Sequence, residues 1–212
     1  MNRGADWLKK KRSRFGGIFD KYEIKATRTG GGYAKKYGHN IEYWDIAPPQ
    51  EYFDELFRVS KNQIIWGGNY FDLPPTRCFI VWKKLTISET FTMAMAEYAW
   101  TSFNNNAKMF EFAPQGTADD PRFHPTQKPI GLYKKVIQHF ANKGDIILDT
   151  HVGSASSLIA CYDMGFDYIG FEIDKEYYNA AKKRLEKHTS QVRIDDYLEH
   201  EQQMVQQQLD IE

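Results

Sequence analysis

The stretch Asp145–Asp174, DIILDTHVGSASSLIACYDMGFDYIGFEID, decides how the chain is read. Asp145-Ile146-Ile147-Leu148-Asp149 is a short apolar run ending in a carboxylate, the pattern of a buried parallel strand. A turn of small residues follows, from Thr150 through Gly153 and Ser154 to Ser157. Leu158–Met164 has a helical pattern, stopped by Gly165. Tyr168-Ile169-Gly170-Phe171 reads as a second strand that ends at Glu172, and Asp174 is placed to cap a further helix. Strand, turn, helix, strand and acid in this order make half of an α/β fold that binds adenosine-containing cofactors at the carboxyl ends of its strands. Gly153 permits close backbone approach, and a helix starting near Ser154 offers unpaired N–H groups. Glu172, about twenty residues past the turn, is where a carboxylate accepts ribose hydroxyls. The bland alternative is an α/β turn that binds nothing. Gly-x-Gly-x-x-Gly is absent, which disfavours a pyrophosphate-containing dinucleotide and with it a nicotinamide-dependent oxidoreductase.

Just upstream stands His124-Pro125-Thr126-Gln127-Lys128-Pro129. Together with Asp149-x-x-x-Gly153-Ser154 and Phe171-Glu172-Ile173-Asp174, it resembles the DNA amino-methyltransferases of the permuted kind. The runs Asn62–Phe71 and Glu97–Phe103 are similar to the phage-type adenine methyltransferases in particular, so the resemblance covers nearly the whole chain. It implies a circularly permuted, Rossmann-like α/β fold, S-adenosylmethionine as methyl donor and methyl transfer to adenine N6 in double-stranded DNA. Cytosine N4 is the other target such enzymes use. It further implies a restriction-modification setting and a cytoplasmic location in a bacterial or phage-infected cell. By this resemblance the cofactor-binding residues are His124, Thr126, Lys128, Asp149, His151, Gly153, Ser154 and Glu172. Asn69 and Tyr70, in the Gly67–Phe71 loop after a buried strand at Asn62–Trp66, are placed to hydrogen-bond and stack on an extruded base. Without the resemblance that loop reads as a glycine turn with a packed Tyr.

The resemblance fails at one point. The family's catalytic tetrapeptide, Asp-Pro-Pro-Tyr or a near variant, has no counterpart in the 212 residues. Trp44-Asp45-Ile46-Ala47-Pro48-Pro49 comes nearest, but two residues separate Asp45 from the prolines. Asp45 is therefore the one substitute in sight for an acceptor of amine protons. The expectation is a fold incomplete at its N-terminus, with an open edge beside Ile146–Asp149 and little or no activity in the chain alone. The second reading follows from it: a remnant or half-enzyme that binds cofactor and DNA and needs a complementing polypeptide or a homodimer. In the cofactor loop, Thr150-His151 stand where the family has Pro-Phe, and Ala155 replaces a glycine.

Around this centre the chain reads as one globular domain with flanking segments. Residues 1–40 hold eleven Lys and Arg against three acids although the formal net charge of the whole is zero, an electrostatic footprint for phosphates. Lys9, Lys10, Lys11, Arg12 and Arg14 are its densest part. Residues 41–188 form the methyltransferase domain, with target recognition over 83–122 and cofactor binding over 123–188. Lys83, Lys84 and Arg122 are the DNA-contact candidates of the recognition interval, against the plain reading of a solvated loop. Helices are expected over 49–60, Ile130–Ala141 and Tyr177–Lys187, and strands over Cys78–Trp82, Ala94–Trp100 and Ala107–Phe112, the last two flanking an Asn104-Asn105-Asn106 turn. Residues 189–212 are an acidic helical tail. Cys78 and Cys161 suggest neither disulfides nor a metal site, and no long apolar span or signal pattern occurs.

Overall fold

The computed structural model describes residues 47–90, 93–114 and 116–190. The chain divides into two compact units, Met1–Glu111 and Phe112–Glu212, each with its own interior. The expectations for Asp45, for Lys9, Lys10, Lys11, Arg12 and Arg14, and for the tail beyond Ser190 lie outside the described residues.

In the first unit, helix α1 (Gln50–Val59) starts after Pro48-Pro49, whose rings suit an approach to a helix start. Its apolar residues recur at helical spacing, so Phe53 is buried and Tyr52, Leu56 and Phe57 pack beside it around Ile65 and Trp100. Four strands follow: β1 (Ile64–Trp66), β2 (Phe79–Lys84), β3 (Ala96–Thr101) and β4 (Lys108–Phe112). They form a sheet in the order β1-β3-β2-β4. β3 runs antiparallel to both neighbours, with Ile65 opposite Trp100 and Ile80 opposite Ala99. The spacing of β3 and β4 around the asparagine turn suggests a hairpin, but β2 lies between them. Alternation along β2 explains this central place. Ile80 and Trp82 are essentially fully buried, and Lys84 continues the same inward row.

In the second unit, α2 (Ile130–Phe140), β5 (Ile146–Asp149), α3 (Ser156–Asp163), β6 (Asp167–Gly170) and α4 (Lys175–Thr189) follow in order. β5 and β6 pair in parallel, Ile147 opposite Tyr168 and Asp149 opposite Gly170. This is the β-α-β unit of a Rossmann-like α/β fold, joined by α3 as the crossover helix. Leu132, Val136, Ile137 and Phe140 recur at helical spacing along α2 and are buried. Ile137 meets Ala160 and Cys161 of α3, with Ile147 and Tyr168 packed against them. Leu132 and Ile159 are essentially fully buried, each contributing about 1.5–3 kcal/mol of transfer free energy. Asp174 caps α4 as the sequence suggests, accepting from the N–H groups of Glu176 and Tyr177 at 2.9 and 3.0 Å.

One expectation is corrected. The apolar run in β5 reads as a strand buried on both faces, yet Ile146 is 64% exposed and Ile169 51%. Among the described elements, α2, α3 and α4 all pack on the face that carries Ile147 and Tyr168. The alternate residues, Ile146 and Ile169, point the other way because side chains on a strand alternate. Apolar composition marks what a strand is able to bury; neighbouring elements decide how much it does.

Gly68 gives a direct test of the first unit's packing. A Cβ there would lie 2.4 Å from Trp100 Cβ and 3.1 Å from its backbone nitrogen, and neither of these is the far end of a flexible side chain. Gly68→Ala is expected to destabilise the protein by about 1–3 kcal/mol through overpacking. Urea unfolding followed by tryptophan fluorescence checks it, and an unchanged midpoint would disprove the close contact.

Candidate cofactor site

The site is built on the carboxyl ends of β5 and β6, where two carboxylates order the loop between them. Asp149 closes β5. One of its oxygens accepts the His151 N–H at 2.9 Å, and the other accepts the hydroxyl of Ser157, in the first turn of α3. Its negative charge therefore sits at a helix N-terminus, where the dipole favours it. Glu172 lies just beyond β6. Its carboxylate accepts the Gly153 N–H at 2.8 Å and the Asp174 N–H at 2.9 Å, so each oxygen takes one backbone donor. Both acids are thus charge-assisted acceptors for the backbone of the turn.

Between them the chain turns tightly. Gly153 has φ +53°, and a Cβ on it would lie 3.1–3.3 Å from the ring of His124. Glycine is needed there both for its backbone angle and for the ring below it. The helix starts later than Ser154: Ala155 precedes it with φ +63°, and Ser156 is its first residue. Ala155 is the non-glycine residue with positive φ among the described residues. Its methyl is nonetheless buried, packed with Leu158 and Ala181. Alanine at this position therefore leaves the turn intact but holds an L-residue in a conformation that sterics disfavour.

His124 forms the floor of the loop. It is 7% exposed, with its ring edge-on to Tyr177 at 4.2 Å between centroids. Nδ1 lies 3.3 Å from the Thr126 amide and 3.1 Å from its hydroxyl. The backbone N–H donates, so Nδ1 is an acceptor and the ring carries its proton on Nε2. Burial first, then the positive charges of Lys128 and Arg122, push the His124 pKa down to about 4. The imidazole is neutral at physiological pH. Gln127 completes the turn, its side-chain oxygen accepting from the amides of Phe123 and His124.

Of the residues singled out from the sequence, His124, Gly153, Glu172 and Asp149 are joined directly in this loop, with Thr126 against His124. His151 is exposed, and Thr150 Oγ1 lies 3.0 Å from its Nδ1. Ser154 is buried, its hydroxyl 3.1 Å from that of Ser156. Asn69 and Tyr70 belong to the first unit, in a short 3-10 turn over Gly68–Tyr70 that leaves both exposed.

The suggested DNA contacts fare differently. Lys83 is exposed and paired with Glu111 at 2.7 Å. Lys84 is 8% exposed, its ammonium 2.8 Å from Glu97 and over the ring of Trp82. Its charge is neutralised inside the sheet, because alternation along β2 turns this lysine inward. Arg122 is half-buried and donates to the backbone carbonyls of His124 and Pro125, which ties it to the loop it precedes. Asp120, Ser157, Tyr177 and Arg184 are part of the arrangement without having been singled out. Nothing local in the sequence marks Asp120, Tyr177 and Arg184, since each acts on residues far along the chain, whereas Ser157 reaches back eight residues to Asp149.

Among the described residues no group of His, Cys, Asp and Glu is placed to hold a metal ion, and no helix is long and apolar enough to cross a membrane. The family described as DNA methylase matches residues 19–183. The chain is 46% identical over 63 residues to the type II methyltransferase M.HpaI of Haemophilus parainfluenzae, covering 30% of this chain and 20% of that one. It is 38% identical to the putative methylase YubD of Escherichia coli (strain K12), covering 62% of this chain and 66% of that protein. The chain thus spans less than two thirds of either relative. Among solved structures, the M1.HpyAVI–SAM complex aligns with a TM-score of 0.41 and 25% identity, over 50% of this chain and 60% of that one.

The neutral state of His124 predicts how stability depends on pH. Unfolded, its pKa returns to about 6.5, so between pH 6.5 and pH 4 the unfolded chain takes up a proton that the native site does not. Stability is therefore lost as pH falls through that window, on the order of 3 kcal/mol from this group. Urea unfolding at pH 7 and pH 4.5 is expected to show a smaller acid loss for His124→Gln than for the native protein. Equal losses would mean that His124 is not held neutral.

Proposed function

The chain belongs to the DNA methylase family, and from that membership we propose that its second unit binds S-adenosylmethionine and that the protein methylates the N6 amino group of adenine in double-stranded DNA. The observation that carries the proposal is the Glu172–Gly153 pairing at the open end of a parallel strand pair.

The residues present fit an adenosine-containing cofactor. Each oxygen of Glu172 spends one lone pair on a backbone N–H, leaving further acceptor capacity for the two hydroxyls of a ribose. Gly153 has no side chain to obstruct close approach, and His124, Lys128 and Thr126 belong to the segment packed beneath it. His151, exposed beside the loop, is expected to cover an adenosine moiety. S-adenosylmethionine, when bound, supplies a methyl group activated by a sulfonium centre.

What remains for the protein is to position an amine of low nucleophilicity, whose lone pair is delocalised into the base. An extruded adenine is expected to meet Asn69 as a hydrogen-bonding partner and Tyr70 as a stacking surface. Acceptance of the amine protons localises the lone pair, and of the acids in the sequence Asp45 is the candidate for that role. The phosphate backbone is expected to meet the basic residues within 1–40, with Lys9, Lys10, Lys11, Arg12 and Arg14 as its principal contacts. Adenine N6 is preferred over cytosine N4 because the runs Asn62–Phe71 and Glu97–Phe103 resemble the adenine enzymes.

Two measurements test this. Calorimetric titration with S-adenosylmethionine is expected to show Glu172→Ala binding about 1.5–3 kcal/mol more weakly than the native chain. Equal affinity in a folded variant would remove Glu172 from the site. Incubating the full chain with labelled cofactor and unmethylated duplex, then digesting to nucleosides, is expected to place the label that is transferred, little as it is without the catalytic tetrapeptide, on adenine N6. Label on cytosine N4 would overturn the assigned target. A chain that binds cofactor yet transfers no label would overturn independent turnover in favour of the half-enzyme.

A further inference from the structure

We propose that Arg184, which touches neither strand end and belongs to none of the sequence motifs, is the positioning residue that holds the cofactor loop in its binding conformation. The inference rests on the assignment of the Asp149–Ser157 turn as a cofactor site.

Arg184 lies one turn after Ala181 on α4, on the face of the helix that packs against Ala155 and Leu158. Its side chain is only 11% exposed, and all three guanidinium nitrogens are engaged. Nη1 donates to the Ser154 carbonyl at 2.6 Å and to the Ser156 hydroxyl at 2.9 Å. Nε and Nη2 donate in parallel to the two oxygens of Asp120, at 2.7 and 2.5 Å. The planar fork thus grips a carboxylate with one edge and the cofactor loop with the other, a division no lysine could reproduce.

The loop atom it holds is the informative one. The Ser154 carbonyl is half of the peptide that leads into Ala155, and Ala155 is the residue held at φ +63°. A side chain with a Cβ disfavours that conformation, so the surroundings must over-determine it. A charge-assisted bond to the carbonyl fixes the orientation of this peptide and so keeps Ala155 where the turn requires it. Asp120 in turn fixes Arg184. It closes a tight turn of its own, accepting from the Thr117 amide at 3.1 Å and donating its own amide to the Thr117 hydroxyl at 3.0 Å. The segment leading into His124 is thereby tied through one arginine to the loop above His124.

A glycine at 155 would adopt the same backbone angle without help. This separates a positioning role from a general structural one. Arg184→Ala is expected to weaken S-adenosylmethionine binding by about tenfold or more, the loss typical of a charge-assisted hydrogen bond. It is also expected to speed amide exchange across residues 150–157. Adding Ala155→Gly to Arg184→Ala is expected to restore most of both. The exchange measurement is made on the full chain without cofactor, so it reads the loop even if the cofactor assignment fails. Arg184→Lys, which keeps a buried cation but cannot hold both partners, is expected to show the faster exchange too and serves if Arg184→Ala does not fold. Unchanged exchange in the Lys and Ala variants, or a loss that Ala155→Gly leaves unrepaired, would overturn the proposal.

Discussion

Everything at the site depends on two carboxylates at the ends of adjacent parallel strands, each accepting backbone N–H groups from the loop between them. The parallel register places Asp149 opposite Gly170, so Glu172 emerges two residues further along, beside the turn. Asp149 fixes the way into α3 through His151 and Ser157, and Glu172 fixes the crown of the loop through Gly153. A turn of small residues has few side-chain contacts of its own to hold it. Anchoring its N–H groups on ionised acceptors supplies order that packing cannot, since such bonds are about twice as strong as neutral ones.

The loop is also braced from outside the strand pair. His124 fills the space below Gly153, and its neutrality matters, because an imidazolium here would be a poorly solvated charge beside Lys128 and Arg122. Arg184 braces it a second time through the Ser154 carbonyl. On the same helix, Asp174 both caps α4 and donates its own amide to Glu172. α4 is thus a strut whose start and middle each hold one part of the site. Its far end is held by Asp163, which pairs with His188 and Lys134.

Much of this is legible along the chain because the interactions are short-range in sequence. The β-α-β order, the stop at Gly165, the cap at Asp174 and the amphipathic face of α2 follow from periodicity and local chemistry. So does the place of Glu172 at the end of the second strand, whose distance from the turn is set by the length of one helix and one strand. The positive φ at Ala155 was not legible, since no local rule puts alanine there. Nor was the place of β2 between β3 and β4: adjacency in sequence favours a hairpin, whereas the apolar inner row of β2 makes it the better central strand.

Charge shows the boundary most clearly. From the sequence, Lys84 and Arg122 are simply basic residues in an interval fit for DNA. Whether each faces solvent depends on which strand face is covered and which carbonyls stand nearby, and in the fold one is paired with Glu97 and the other bonded to the backbone. Arg184 is the converse, an ordinary helix cation until the fold brings Asp120, Ser154 and Ser156 to it from 64 and about 30 residues away. By itself the sequence determined the family, the order of elements and the acids at the strand ends, because those rest on local spacing. Only the tertiary structure decided which cations are available and which one braces the loop, because partners distant in sequence set the state of a buried charge.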